Sequence, residues 1–97
     1  MKSIIQTEQE CFFCRTTRNL NLHHIFGASN RKISTKNGFT VFLCKEHHQD
    51  GNDSVHRMPN EGYDLILKKK CQFEYEQTHS RESFIALIGR SYLGLED

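Results

Sequence analysis

Most of the potential metal ligands of this 97-residue chain lie between Cys11 and His56. The stretch consists of Cys11-Phe12-Phe13-Cys14, then Leu22-His23-His24-Ile25, then Leu43-Cys44-Lys45-Glu46-His47-His48, and finally Val55-His56. It holds three of the four cysteines and five of the six histidines. We therefore expect bound metal to organise the fold. A domain this small buries limited apolar surface and often needs a metal ion or disulfide bonds to be stable.

Two ligand pairs predict a structural zinc site. Cys11 and Cys14 form the first pair, and Cys44 and His47 form the second. Zinc in structural sites takes four tetrahedral thiolate or imidazole ligands, and paired ligands at this spacing fit a single turn. His48 is an alternative fourth ligand, although the spacing favours His47.

The remaining histidines of the stretch predict a second centre, made from His23, His24, His48 and His56. Adjacent side chains on a regular strand point to opposite faces. We therefore expect one imidazole of the His23-His24 pair to bind an ion and its neighbour to act on a water molecule. An imidazole suits that task because its pKa of about 6.5 leaves it largely neutral at neutral pH. The ion would polarise a phosphodiester.

Taken together, these motifs resemble the HNH endonucleases of the ββα-metal fold, especially the small zinc-stapled members common in bacteriophage genomes. The likeness covers residues 11–56, about half of the chain. It implies an α+β fold with a small ββα-metal core and C-terminal helices. It also implies hydrolysis of DNA, usually double-stranded, that leaves a 5′-phosphate. A catalytic Mg²⁺ or Mn²⁺ is expected beside the structural zinc.

The resemblance also implies roles for individual residues. His23 matches the first metal ligand, His24 matches the general base, and His48 matches the ligand on the helix of the ββα unit. The third ligand stays open between His56, which is chemically better, and Asn52, which follows His48 by one helical turn.

The middle asparagine of the HNH pattern is displaced in this chain. The family has it a few residues before the Leu-Cys of the second strand, where it orients the base. Here that neighbourhood reads Asn37-Gly38-Phe39. Asn37 is the expected counterpart, Asn30 is the alternative, and a backbone carbonyl would serve if neither does.

The charge distribution favours a polyanionic partner, although the net charge is only +1. No acidic residue occurs from Cys11 to Lys45, where six basic residues lie, whereas ten acids outnumber six bases from Glu46 onward. A basic region of this kind is typical of contact with a phosphate backbone. Arg31 and Lys32, in the loop expected between the two strands, are the candidate phosphate contacts.

Local patterns predict one domain over residues 1–97. β-branched and aromatic runs favour strands, a period of about four favours helices, and Asn37-Gly38 favours a turn. Ser80 and Gly89 are the expected caps of the last helix, and Cys71 is an expected core residue. The predicted elements are strands at 20–26 and 39–43, a basic loop at 31–37, a short helix from 45, and helices at about 61–78 and 81–88.

The sequence contains no apolar run suited to a signal peptide or a membrane span, so we expect a cytoplasmic protein, in a bacterial host if a phage encodes it. Two rival functions remain. One is a non-catalytic zinc module that binds nucleic acid or a protein partner. The other is a zinc-ligated adaptor without nucleic acid, which leaves the His23-His24 pair without a role.

Overall fold

The computed structural model describes residues 1–94 and has an α+β architecture with a two-stranded antiparallel sheet. Residues 95–97, which belong to the predicted domain, lie outside the described residues. The elements in chain order are β1 (Leu20–His24), a 3-10 turn (Ala28–Asn30), α1 (Arg31–Asn37), β2 (Thr40–Cys44), a π-helical turn (Glu46–Asp50), α2 (Gly62–Tyr75) and α3 (Arg81–Ile88).

The pairing of the strands separates the two adjacent histidines. His23 lies opposite Val41, and His24 lies opposite Thr40. Because successive side chains of a strand point to opposite faces, His23 shares the face of the fully buried Val41. His24 therefore lies on the other face of the hairpin and is half-buried.

The connection between the strands corrects one expectation, because residues 31–37 form helix α1 and not a loop. Ser34 is the buried residue of this helix, and its hydroxyl donates to the Phe26 carbonyl at 2.6 Å and accepts from the Phe26 N–H at 3.2 Å. Because the buried residue of α1 is a serine, the helix has no apolar face. Its sequence therefore lacks the apolar period that indicates a helix. Gly38 ends α1 in the left-handed conformation at φ 75°, which explains the Asn37-Gly38 signal.

The N-terminal arm is fastened to β2 and to the end of α1. The Ile4 N–H donates to the Gly38 carbonyl at 3.0 Å, and the Phe42 N–H donates to the Gln6 side chain at 2.7 Å. The Phe12 N–H donates to the Phe42 carbonyl at 3.0 Å. These bonds hold the start of the Cys11-x-x-Cys14 turn beside β2.

The aromatic core joins the hairpin to the C-terminal helices. Phe39 and Phe84 are fully buried, and the Phe26 ring lies 5.6 Å and 5.5 Å from their centroids. Tyr75 of α2 contacts Phe39 at 5.6 Å, and Cys71 is buried in the same cluster as expected. Burying an aromatic ring of this size contributes about 1.5–3 kcal/mol.

The ends of the two long helices follow the predicted boundaries closely. Helix α3 coincides with the predicted 81–88: the Ser80 side chain accepts from the Ser83 N–H, and Gly89 ends the helix at φ 104°. Helix α2 ends at Tyr75, before the predicted 78. No helix in residues 1–94 is long and apolar enough to cross a membrane.

Candidate metal centres

The first centre brings together the four predicted zinc ligands, Cys11, Cys14, Cys44 and His47. Their ligand atoms all lie within 4.8 Å of one another. Cys14 Sγ lies 3.7 Å from Cys44 Sγ, and His47 Nδ1 lies 3.1 Å from Cys44 Sγ and 3.6 Å from Cys11 Sγ. Three sulfurs and one imidazole nitrogen at these separations match the donor set of a structural zinc site.

Local backbone geometry shapes the Cys11-x-x-Cys14 turn. The Arg15 N–H donates to the Cys11 carbonyl, and the Cys11 N–H donates to the Thr16 carbonyl, both at 2.9 Å. Arg15 adopts a left-handed φ of 63°. The turn therefore closes tightly, which directs both thiols toward the end of β2 where Cys44 lies.

The electrostatics of this centre favour a cation. Burial raises the pKa of Cys11, but hydrogen bonds from the backbone around Cys14, Cys44 and Phe13 outweigh it and lower the pKa to about 6. Burial raises the pKa of Cys44, and the neighbouring thiols of Cys11 and Cys14 raise it further. Several thiolates this close repel one another, and a Zn²⁺ ion among them would offset the repulsion.

The second centre is a group of three histidines from three parts of the chain: His23 from β1, His48 from the π-helical turn, and His56 from the loop that follows. His48 Nε2 and His56 Nε2 lie 2.9 Å apart. The ring of His23 lies 5.2 Å from that of His48 and 5.6 Å from that of His56.

Two nitrogens of this group, His23 Nε2 and His48 Nδ1, are buried without a hydrogen-bond partner in residues 1–94. Buried polar atoms are nearly always paired, so an unpaired nitrogen beside other imidazoles is available to bind a metal ion. Burial, followed by the charges of His48 and His56, lowers the pKa of His23 to about 3. His23 is therefore neutral at physiological pH, which is the form that binds metal.

The donor atoms of the second centre fit a transition ion. All three are imidazole nitrogens, which suit zinc, nickel, copper or iron, whereas Mg²⁺ and Mn²⁺ prefer oxygen ligands. The group contains no carboxylate. The donor set therefore favours a softer ion than the Mg²⁺ or Mn²⁺ that the resemblance implies.

His24 lies next to this group but outside it. It precedes Ile25, which is buried, and its own imidazole makes no hydrogen bond in the described part of the chain. Burial, followed by the positive charge of Arg31, lowers the pKa of His24. The imidazole is therefore neutral near neutral pH and is within electrostatic reach of Arg31.

The asparagines expected near the base are engaged elsewhere. The Asn37 amide donates to the Ile33 carbonyl of its own helix at 2.9 Å, and the Asn30 amide donates to the Ile88 carbonyl at 3.0 Å. Neither is hydrogen-bonded to His24 in residues 1–94. Asn37 therefore supports the last turn of α1, and the structure gives no separate support for its predicted catalytic role.

The structure distinguishes the alternatives that the sequence leaves open for the fourth ligand of the first centre and the third ligand of the second. His47 belongs to the cysteine group and His48 to the histidine group, so one π-helical turn supplies a ligand to each. Gly51 ends that turn in an extended conformation, which removes Asn52 from the helix. Asn52 is exposed, and His56 is the residue that joins His23 and His48.

The loop that carries His56 is held against the π-helical turn. The Val55 N–H donates to the His47 carbonyl at 2.9 Å, and the His56 N–H donates to the His48 carbonyl at 3.2 Å. Gly51 permits this close return, since a Cβ there would lie 2.8 Å from the Glu46 carbonyl oxygen. The placement of His56 therefore depends on the π-helical turn that also carries His47 and His48.

The candidate phosphate contacts lie at the start of α1, where both Arg31 and Lys32 are exposed. On α2, the side chain of Lys68 is only 13% exposed and pairs with Asp64 at 2.8 Å. The two residues are four apart, the spacing at which side chains on one face of a helix meet.

Among known proteins, no family model matches the chain, and neither does any curated protein or solved structure. The two groups of side chains are therefore the basis for assigning a function.

Proposed function

We propose that this chain is a metal-dependent endonuclease of the HNH type that hydrolyses phosphodiester bonds of DNA. The observation that carries the proposal is the separation of the two adjacent histidines. His23 joins the three-histidine group, whereas His24 lies beside the group on the same strand with a neutral imidazole. A metal ligand next to an unliganded base is the arrangement that hydrolysis of a phosphodiester requires.

The order of the elements also supports a ββα-metal core. β1, β2 and the helical turn at Glu46–Asp50 follow one another, and each contributes a side chain to at least one of the two centres. The Cys11, Cys14, Cys44 and His47 group would hold the structural zinc that fixes this unit. Because both centres take a ligand from the same turn, zinc in the first would position His48 in the second.

The proposed reaction divides the work among the residues of the chain. A divalent ion on His23, His48 and His56 would polarise the phosphate and stabilise negative charge on the leaving oxygen. His24 accepts a proton from the attacking water, whose oxygen forms the new bond to phosphorus. The bond to the 3′ oxygen breaks, solvent protonates that oxygen, and the products carry a 5′-phosphate and a 3′-hydroxyl. Arg31 holds the phosphate near His24.

Double-stranded DNA is the proposed substrate because His23, His24 and helix α1 lie in the basic segment of the chain. The segment from Cys11 to Lys45 lacks acidic residues and carries β1, α1 and β2. Arg31 and Lys32 are exposed on α1, where they can contact backbone phosphates. Such contacts bind without reading sequence, so the proposal carries no base preference.

A supercoiled-plasmid nicking assay tests the proposal. Zinc-loaded protein is incubated with Mg²⁺, Mn²⁺, Ni²⁺, additional Zn²⁺ or EDTA, and nicked and linear products are separated on a gel. We expect nicking that depends on an added ion and stops with EDTA. A folded, zinc-loaded protein that cuts with none of these ions would contradict the proposal.

A second candidate function is a non-catalytic zinc module that binds nucleic acid. The observation that favours it is that His24 has no hydrogen-bonded partner in residues 1–94, while the Asn37 and Asn30 amides are engaged elsewhere. An unoriented imidazole is a poor general base. This alternative predicts one tightly bound zinc per chain and salt-sensitive DNA binding without cleavage under any metal condition.

A further inference from the structure

A cavity of about 430 Å³ lies between the N-terminal arm and the hairpin of β1 and β2. We call it the arm cavity. The hairpin contributes Leu22, Thr40, Val41 and Phe42 to its lining, and most of the surface that lines it is apolar. A concave space of this size with a mainly apolar lining is typical of a ligand-binding site.

The arm cavity lies on the same face of the hairpin as His24. Thr40 is the cross-strand partner of His24, and Phe42 is the cross-strand partner of Leu22. Such partners project to one face, with Cβ atoms about 5 Å apart. Leu22 precedes His24 by two residues, so their side chains are about 6.8 Å apart along the strand. The cavity therefore adjoins the proposed general base.

The arm that forms the opposite wall of the cavity is held in place by hydrogen bonds. The Ser3 hydroxyl accepts from the Ile5 N–H at 3.2 Å and from the Gln6 N–H at 3.1 Å. The Gln6 side chain donates to the Glu10 carbonyl at 2.6 Å and accepts from the Phe42 N–H at 2.7 Å. The cavity is therefore formed before a ligand binds, which lowers the entropic cost of binding.

The hairpin side of the arm cavity presents apolar side chains to solvent. Leu22 is 50% exposed, and its partner Phe42 is half-buried. A flat ring can stack on these two side chains. Nucleobases stack on aromatic side chains in this way, and the contact does not depend on which base is bound.

The charges around the arm cavity favour a nucleic acid as its ligand. Both strands of the hairpin lie in the segment from Cys11 to Lys45 that lacks acidic residues, and Lys2 is part of the cavity lining. Glu8 also lines the cavity, and its carboxylate accepts from the Thr7 hydroxyl at 2.7 Å. A stacking surface within a basic region is the combination that binds an unpaired nucleotide.

We propose that the arm cavity receives a nucleobase of the DNA strand that is cut, turned out of the base stack and stacked on Leu22 and Phe42. The inference rests on the proposed function and deepens it, because a base held beside His24 places the adjoining phosphate at that imidazole. Turning a base out costs least where the nucleotide has no partner. The preferred substrate is therefore a duplex with an unpaired nucleotide at the cleavage site.

Binding of labelled duplexes tests this proposal without relying on cleavage. Full-length, zinc-loaded protein with no ion added to the second centre is titrated with three duplexes. One is fully paired, one has a single unpaired 2-aminopurine nucleotide, and one has an abasic nucleotide at the same position. We expect the Kd for the unpaired base to be about five- to a hundredfold lower than for the abasic duplex, the contribution of one stacked base. The fluorescence of 2-aminopurine should change on binding, because its stacking partners change.

Two substitutions and their matched controls locate the binding of the base. Leu22→Ala and Phe42→Leu should remove most of the difference in Kd between the unpaired and the abasic duplex. Ile66→Ala and Phe73→Leu make the same changes on α2, where both side chains are 51% exposed, and should keep that difference. Zinc content and thermal unfolding verify that each variant is folded. If Phe42→Leu does not fold, Leu22→Ala decides the test, because Leu22 is half exposed.

The outcomes distinguish this inference from the proposed function. Equal Kd values for the unpaired and abasic duplexes in wild type would overturn the arm cavity as a base site. An equal effect of Leu22→Ala and Ile66→Ala would overturn it as well. Base binding that depends on Leu22, without plasmid cleavage under any metal condition, would support the cavity and contradict the nuclease. Metal-dependent cleavage without any preference for an unpaired base would keep the nuclease and overturn the cavity.

Discussion

His48 Nε2 and His56 Nε2 lie 2.9 Å apart, and the His56 N–H donates to the His48 carbonyl at 3.2 Å. The backbone bond closes the loop from His48 to His56 and brings the two imidazoles together. His23 reaches them from β1. Three imidazoles that converge in this way are placed to hold one metal ion, and several of the following predictions depend on this group.

The first prediction concerns metal content. Wild-type protein should bind two ions per chain, and His56→Ala should bind one, because two imidazoles alone hold a divalent ion weakly. Elemental analysis after dialysis against Ni²⁺ measures the ratio. His79→Ala is the control, because His79 is exposed and stacks on Tyr75 at 4.1 Å, away from the group. Two ions in His56→Ala would show that His56 is not a ligand.

The second prediction concerns the identity of the second ion. Ni²⁺ or Zn²⁺ should bind the three-histidine centre more tightly than Mn²⁺, and Mg²⁺ should bind most weakly, since the donors are nitrogens. Competition titrations on protein that retains its structural zinc give the order. Mg²⁺ binding as tightly as Ni²⁺ would indicate that oxygen ligands complete the site.

The third prediction concerns the general base. His24→Ala should lower the rate of plasmid nicking by about 10²–10⁴-fold, the usual contribution of a positioned base. Its zinc content and thermal midpoint should stay close to those of wild type, because His24 is half-buried and makes no side-chain hydrogen bond in residues 1–94. A variant that loses its zinc or its fold would show that His24 is structural. His79→Ala should cleave at the wild-type rate.

The fourth prediction separates the core cysteine from the ligand cysteines. Cys71→Ser should keep its zinc and lose about 1–3 kcal/mol of unfolding free energy, the cost of burying a hydroxyl. Cys14→Ser should lose zinc and unfold. Burial also raises the pKa of Cys71, so this thiol should resist alkylation in the native protein. Retained zinc in Cys14→Ser would contradict the ligand assignment.

The fifth prediction concerns the attachment of the N-terminal arm. Gly38→Ala should lower the unfolding free energy by about 1–3 kcal/mol, because Gly38 has a positive φ of 75° and its Cβ would meet the Lys2 carbonyl oxygen. Gly27→Ala is the matched control, since nothing lies within 4 Å of its Cβ position. Urea unfolding of both zinc-loaded variants measures the difference. Equal losses would show that the arm does not depend on Gly38.

Parts of the fold that depend on local chemistry could be predicted from the sequence. Helix α3 has a serine N-cap and a glycine at its end, and both adopt the expected conformations. Helix α1 was not predicted, because it is held in place by two hydrogen bonds between the Ser34 hydroxyl and the backbone of Phe26, eight residues away. Its exposed basic residues show no helical stripe.

The two metal centres could likewise be predicted only in part from the sequence. The sequence by itself determined the three cysteines of the first centre and favoured His47 over His48 as the fourth member, because both pairs have the spacing of a single turn. It also indicated that His23 and His24 would have different environments, since strand side chains alternate.

Only the tertiary structure decided which residues complete the second centre. The sequence left Asn52 and His56 open, with His56 the better chemical ligand. In the structure, the extended Gly51 ends the turn and the loop returns His56 to His48. The burial of Lys68 beside Asp64 likewise depends on how α2 is placed. Local spacing cannot specify such contacts, because they arise when segments distant in the chain come to share one volume.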